Sequence, residues 1–161
     1  MRILETKVYS FDELSDKAQA RALDYCREFQ VDHDWWESMY DDAEEIGLTI
    51  ASFDFHRGNI AGTLDDMPST ISRILAYHGP DCATFSDAQD CIYALSKMIL
   101  SEEGEIDEED YDSIRDEFRR ALLESYLVKL RREYEYLTSD KSVSEMIQAN
   151  KYEFDESGRR V

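Results

Sequence analysis

The chain has 161 residues, of which 42% are hydrophobic and 12% aromatic, and 37 acidic against 18 basic residues give a net charge of −19. This length favours a single domain, and the aromatic content argues against disorder. The acid excess disfavours binding to nucleic acid or to an anionic membrane, because clustered lysine and arginine recognise both. We therefore expect one folded acidic domain over 1–161 that binds neither directly.

The sequence contains no apolar run long enough to span a membrane and no apolar signal region near its beginning. We therefore expect a protein of the cytoplasm. Cys26, Cys82 and Cys91 include no CxxC pair. In that compartment they are expected to be reduced and mostly buried thiols.

The first predicted elements are a strand over 3–9, rich in β-forming residues, and a helix over 10–29. Ser10 and Glu13 have the spacing of a capping box, in which each side chain bonds the other residue's backbone amide. Ser15 is an alternative start for this helix if its first turn is irregular.

The second predicted helix covers 32–46, with Asp32 or Asp34 as its cap and Gly47 at its end. The pattern then predicts a hairpin over 48–55 and 60–64, helices over 67–78, 86–100, 108–137 and 139–149, and a final strand over 151–155. Strands at both ends and in the middle, with helices between them, indicate an α+β fold. We expect a small antiparallel sheet of about four strands packed by about five helices, one of them long.

Two stretches, 32–45 and 101–117, are almost purely acidic. A small domain stays soluble with a net charge of only about 2 to 8 in magnitude, and self-repulsion beyond that costs stability. A solvated face is one interpretation, and a partner-binding surface is the other. The candidate partner-binding residues are Glu37, Asp41, Asp42, Glu44, Glu45, Glu102, Glu103, Glu105, Asp107, Glu108, Glu109, Asp110 and Asp112.

The sequence offers no motif for catalysis, a metal or a cofactor. It contains no phosphate-binding loop and no G-x-S-x-G nucleophile motif. A calcium loop beginning at Asp107 fails because Asp112 stands where glycine is needed. We therefore expect a protein that is not an enzyme, with no metal and no cofactor.

Four segments carry a resemblance to a known group of proteins. They are YSFDELS (9–15), VDHDWWE (31–37), FDFHRGN (53–59) and LRREYEYLTSD (130–140). Together they resemble a family of small acidic proteins encoded in bacteriophage and prophage genomes. The resemblance implies a phage setting inside a bacterial host cell, and it carries no catalytic residues over to this chain.

The phage setting and the acid excess together suggest a counter-defence protein. It would inhibit a host restriction or CRISPR complex by presenting a DNA-like acidic surface to that complex's basic channel. The alternative is a binding module that is not a mimic, either an antitoxin-like partner or a protein that sequesters a signalling nucleotide. The nucleotide would need the arginines of the 119–132 stretch to point into a cavity. The long helix could also pair with a copy of itself in a homodimer.

Overall fold

A computed structural model of the chain describes residues 7–101 and 107–161. In these residues it has six α-helices and one antiparallel pair of strands, so the fold is α+β, as expected. The helices are α1 (Asp16–Gln30), α2 (Glu37–Glu45), α3 (Met67–Tyr77), α4 (Ala83–Ser101), α5 (Glu108–Leu137) and α6 (Asp140–Ala149), and the strands are β1 (Leu48–Asp54) and β2 (Asn59–Leu64).

The backbone divides into two compact units. The central unit is Trp36–Arg131, and the terminal unit combines Met1–Trp35 with Arg132–Val161. The helix α5 contributes residues to both units. None of the helices described for this chain combines the length and apolarity needed to cross a bilayer.

The predicted hairpin is confirmed, but the prediction of about four strands is wrong for the described residues. The strands expected over 3–9 and 151–155 are represented there by isolated antiparallel bridges. Tyr9 and Phe154 exchange backbone hydrogen bonds of 2.8 and 2.9 Å, and Phe154 also forms a bridge with Arg160. Residues 3–6 lie outside the described range. Lys151, with φ of 52°, turns the chain just after α6 and ahead of these bridges.

Helix α1 begins at the alternative start. Ser10 and Glu13 interact as predicted through the Glu13 carboxylate, which accepts from the Ser10 amide at 2.8 Å. The Glu13 amide donates to the Ser10 carbonyl at 3.1 Å, and the pair closes only a short 3-10 turn, Phe11–Glu13. The α-helix follows Ser15, whose side chain accepts a hydrogen bond from the amide of Ala18.

Helix α2 is shorter than predicted, because it begins at Glu37. Neither Asp32 nor Asp34 caps it, since a turn with a 2.7 Å bond from the Trp35 amide to the His33 carbonyl separates them from the helix. Gly47, with φ of 86°, follows its end in the left-handed conformation that glycine adopts readily.

The later helices lie close to their predicted positions. The long helix α5 and the serine-capped helix α6 match the predicted ranges. Helix α4 starts at Ala83, three residues before the predicted cap Ser86, because a turn at Cys82 already provides its first backbone bonds.

Each unit has its own hydrophobic cluster. The cluster of the terminal unit includes Ala22, Cys26, Val143, Ile147 and Phe154. The cluster of the central unit includes Ile46, Leu48, Ile50, Leu64, Met67, Ile74, Phe118, Leu122 and Tyr126. In the central unit the alternation of β1 and the three- to four-residue spacing of α5 turn these side chains inward, as both patterns predict.

Gly62 in β2 allows α5 to lie directly against the hairpin. A Cβ atom at this position would lie 2.4 Å from the Thr49 carbonyl oxygen and 2.8 Å from Leu123 Cδ2. Arg119 Nη1 donates to the Gly62 carbonyl at 3.3 Å, so the same contact also carries a hydrogen bond. The space that a side chain at position 62 would need is therefore occupied by Leu123 of α5 and by the neighbouring strand.

We predict that Gly62→Ala lowers the free energy of unfolding by at least about 1 to 3 kcal/mol, because the new methyl group overlaps backbone that cannot move aside. Urea unfolding followed by circular dichroism measures the change. The matched control is Gly79→Ala, since a Cβ there has no atom within 4 Å. Equal stability of the two variants would show that the close approach at Gly62 is not required.

Candidate functional site

Four carboxylates form a stripe along one face of α2, which we call the α2 acidic stripe. Asp41 is three to four positions from each of Glu37, Glu44 and Glu45, which places the four on one side of the helix, and all four side chains are exposed. Its members are Glu37, Asp41, Glu44 and Glu45. Ala43 and Ile46, on the opposite side of the helix, are fully buried. No hydrogen bond or ion pair with a side chain of residues 7–101 or 107–161 neutralises the stripe.

Asp42 was predicted with this group, but the structure gives it a different position. Its Oδ2 atom accepts hydrogen bonds from the Tyr126 hydroxyl at 2.7 Å and from Lys129 Nζ at 3.3 Å. Its Oδ1 atom lies 3.6 Å from His78 Nε2. Asp42 therefore joins α2 to α5 within the central unit, and its carboxylate is engaged by these contacts although its side chain is 40% exposed.

Burial and charge set the protonation states of this network. Desolvation, the largest effect on Asp42, raises its pKa, but the Tyr126 hydrogen bond and the Lys129 charge outweigh it and hold the pKa below its ordinary value. Desolvation lowers the pKa of His78 against the attraction of Asp42. At neutral pH the network therefore contains an ionised Asp42 and a neutral His78.

The same network has the order of an acid–base–nucleophile triad. His78 Nδ1 lies 2.6 Å from Thr84 Oγ1, on the side of the ring away from Asp42. The exposed fraction of Thr84 is 0%. A nucleophile must reach a substrate, so this arrangement is suited to holding α2, α4 and α5 together rather than to acyl transfer.

We predict that the free energy of unfolding falls as the pH is lowered from about 7 to about 5.5. The pKa of folded His78 lies below its ordinary value of 6.5, so the unfolded chain takes up the proton first and is favoured in acid. Asp42 does not contribute in this window. Its pKa is lowered from 3.8, so the stability that it provides is lost only when the pH falls to about that value and below.

Urea titrations at a series of pH values measure the slope. His78→Gln should flatten it, whereas His33→Gln, at an exposed position, should leave it unchanged. The same slope in the His78 variant would rule out this origin.

The second acidic group begins α5, and we call it the α5 acidic start. Its described residues are Asp107, Glu108, Glu109, Asp110 and Asp112, all of them exposed. Asp107 Oδ1 accepts a 2.9 Å hydrogen bond from the Glu109 amide, and carboxylates in a first turn interact favourably with the helix dipole. Glu102, Glu103 and Glu105 lie outside the described residues.

The two acidic groups do not form one continuous cluster along α5. Asp110 and Tyr126 are 16 positions apart, which corresponds to about 24 Å along the helix axis. Tyr126 is where α2 reaches α5, through Asp42. The structure thus brings the four stripe carboxylates together and leaves the α5 acidic start as a separate group.

A groove of about 790 Å³ lies between the hairpin and α5, and we call it the hairpin groove. Arg57, Arg119 and Arg120 bring three guanidinium groups to it, while Asp54 and Glu124 bring two carboxylates. The lining therefore carries 3 − 2 = +1 charge in a chain of −19. The sequence pointed to the arginines of 119–132, but it missed Arg57, whose only signal was its place in the predicted hairpin turn.

The described residues were also compared with the requirements of metal binding and of thiol chemistry. Among residues 7–101 and 107–161, no three histidine, cysteine or acidic side chains are grouped to hold a metal ion. Burial raises the pKa of Cys26, and it raises the pKa of Cys91 to about 11. Both thiols are therefore protonated at neutral pH and are poor nucleophiles.

No protein-family model, curated protein or solved structure matches this chain. The phage setting accordingly stays a hypothesis, and the function is argued from the geometry of the described residues.

Proposed function

We propose that this protein inhibits a basic nucleic-acid-binding complex of a host defence system by presenting the α2 acidic stripe in place of a DNA strand. The observation that carries the proposal is a set of four exposed carboxylates on one helix face with no neutralising partner among the described residues. The proposal requires binding and no chemistry.

The spacing of these charges suits the imitation of phosphates. Glu37 and Glu45 are eight positions apart, or about 12 Å along the helix axis. Four carboxylates over this length give one charge per about 3 to 4 Å, comparable with the 3.4 Å per phosphate along one DNA strand. A channel that recognises backbone phosphates would meet a similar charge density.

The stripe is also held in place before any partner binds. The buried Ala43 and Ile46 fix the inner side of α2, and Asp42 ties the helix to Tyr126. A preorganised surface loses little conformational entropy on association, so more of the electrostatic attraction is retained as affinity. The α5 acidic start, in the same unit, would offer a second anionic group to a partner with an extended channel.

Charge reversal tests this proposal. We predict that replacing the four stripe residues with lysine abolishes inhibition of DNA cleavage, because attraction becomes repulsion at each position. Purified restriction and CRISPR effector complexes, assayed for cleavage with and without the protein, provide the readout. Asp42 is left unchanged, because its substitution would alter the fold.

The matched control reverses four exposed acids of the terminal unit, Glu28, Glu135, Glu153 and Glu156, and produces the same change in net charge. It should retain inhibition. For the unaltered protein, the affinity should fall by about tenfold or more between about 50 mM and about 200 mM salt. Inhibition that survives both the stripe reversal and high salt would contradict phosphate mimicry and favour an apolar interface, and the absence of inhibition across the panel would reject the proposal.

A further inference from the structure

We propose that the hairpin groove binds a small phosphorylated ligand of the nucleotide class, at a site separate from the α2 acidic stripe. The proposal goes beyond inhibition through the stripe, because it assigns a second surface of the central unit to an anion.

The first argument is the concentration of basic residues. Trp36–Arg131 contains eight of them, and these are Arg57, Arg73, Lys97, Arg115, Arg119, Arg120, Lys129 and Arg131. Three of the eight line this one groove. In a unit whose charge is otherwise strongly negative, such a cluster makes the groove a place where an anion is attracted rather than repelled.

The second argument is how the guanidinium groups are held. Arg57 Nε lies 3.6 Å from Asp54 Oδ2, and Arg119 Nε lies 3.5 Å from Asp116 Oδ1. Arg120 Nε donates to the Asp116 carbonyl at 3.4 Å. Each arginine therefore has a neighbour near its Nε atom, although the Arg57 side chain stays 81% exposed. Arg119 Nη1 donates to Gly62, and the Nη2 groups of all three have no hydrogen-bond partner in the described parts of the chain. Paired N–H donors of this kind match the geometry of phosphate oxygens.

The third argument concerns the rest of the lining, which can contact the base and the sugar of a nucleotide as well as its phosphate. Phe53, Ile60 and Leu123 supply apolar surface beside the arginines. Glu124 supplies an acceptor for the N–H and O–H donors of a base or sugar, whereas Asp54 already accepts from the amides of His56 and Arg57. The volume of about 790 Å³ lies in the range of small-molecule sites, about 300 to 1,000 Å³.

A polynucleotide fits this site poorly. Its backbone would extend past the groove over a chain whose net charge is −19, and each additional phosphate would be repelled. A mononucleotide or a cyclic dinucleotide carries few charges and can place all of them near the three arginines. The observations therefore favour a small ligand.

Isothermal titration calorimetry of the full chain tests the proposal. The probes are inorganic phosphate, the nucleoside 5′-monophosphates, and cyclic mono- and dinucleotides. We predict that at least one nucleotide binds with one-to-one stoichiometry and about tenfold or more tighter than inorganic phosphate, because only the nucleotide uses the apolar lining.

Arg57→Gln and Arg120→Gln should each weaken nucleotide binding by about tenfold, since each removes a charge-assisted hydrogen bond. Arg119 is left unchanged, because it also bonds Gly62. The control is Arg73→Gln, which removes the same charge from the same unit outside the groove and should leave the affinity unchanged.

Two results would overturn the inference. One is that no probe binds at millimolar concentration, and the other is that Arg73→Gln weakens binding as much as the groove variants do. Circular dichroism confirms that each variant is folded, and the lysine variants Arg57→Lys and Arg120→Lys should recover part of the affinity. The α2 stripe variant should still bind nucleotide and the groove variants should still inhibit DNA cleavage, so either proposal can fail without the other.

Discussion

The contact between α5 and the β1–β2 hairpin at Gly62 determines the geometry of the central unit. A two-stranded hairpin is marginally stable by itself in water, so it depends on the helix that covers it. Because Gly62 has no side chain, Leu123 can approach the strand closely. The arginines of α5 then bond hairpin carbonyls, namely those of Leu64 (Arg115, 3.1 Å), Gly62 (Arg119, 3.3 Å) and Phe55 (Arg131, 2.7 Å).

This arrangement also explains where the negative charge stays uncompensated. Arg115 and Arg131 are directed toward backbone carbonyls, and Lys129 is directed toward the internal carboxylate of Asp42. Three basic side chains of α5 therefore bond groups of the central unit itself. The exposed carboxylates of α2 and of the start of α5 remain without counterions from these residues, and the acid excess of the composition becomes a property of two particular surfaces.

Local sequence patterns correctly predicted the helices whose ends are set by interactions between residues close in sequence. Helix α6 begins where Ser139 accepts from the Ser142 amide, and such a cap is readable from sequence. The prediction of the outer strands was wrong because β-forming composition does not ensure a run of paired residues, and Phe154 pairs with Tyr9 and Arg160 only in isolated bridges. Arg57 was missed for a related reason, because a turn residue comes to line a groove only when a distant helix packs beside it.

The role of Asp42 has a consequence for how α2 can vary. Under the proposed phosphate mimicry, the four stripe residues need only a negative charge at an exposed position, so aspartate and glutamate are interchangeable there. Asp42 must also have one particular length, because its carboxylate meets the Tyr126 hydroxyl at 2.7 Å, and an added methylene would displace it. Selection acting on this helix would preserve one acid for its shape and four for their charge alone.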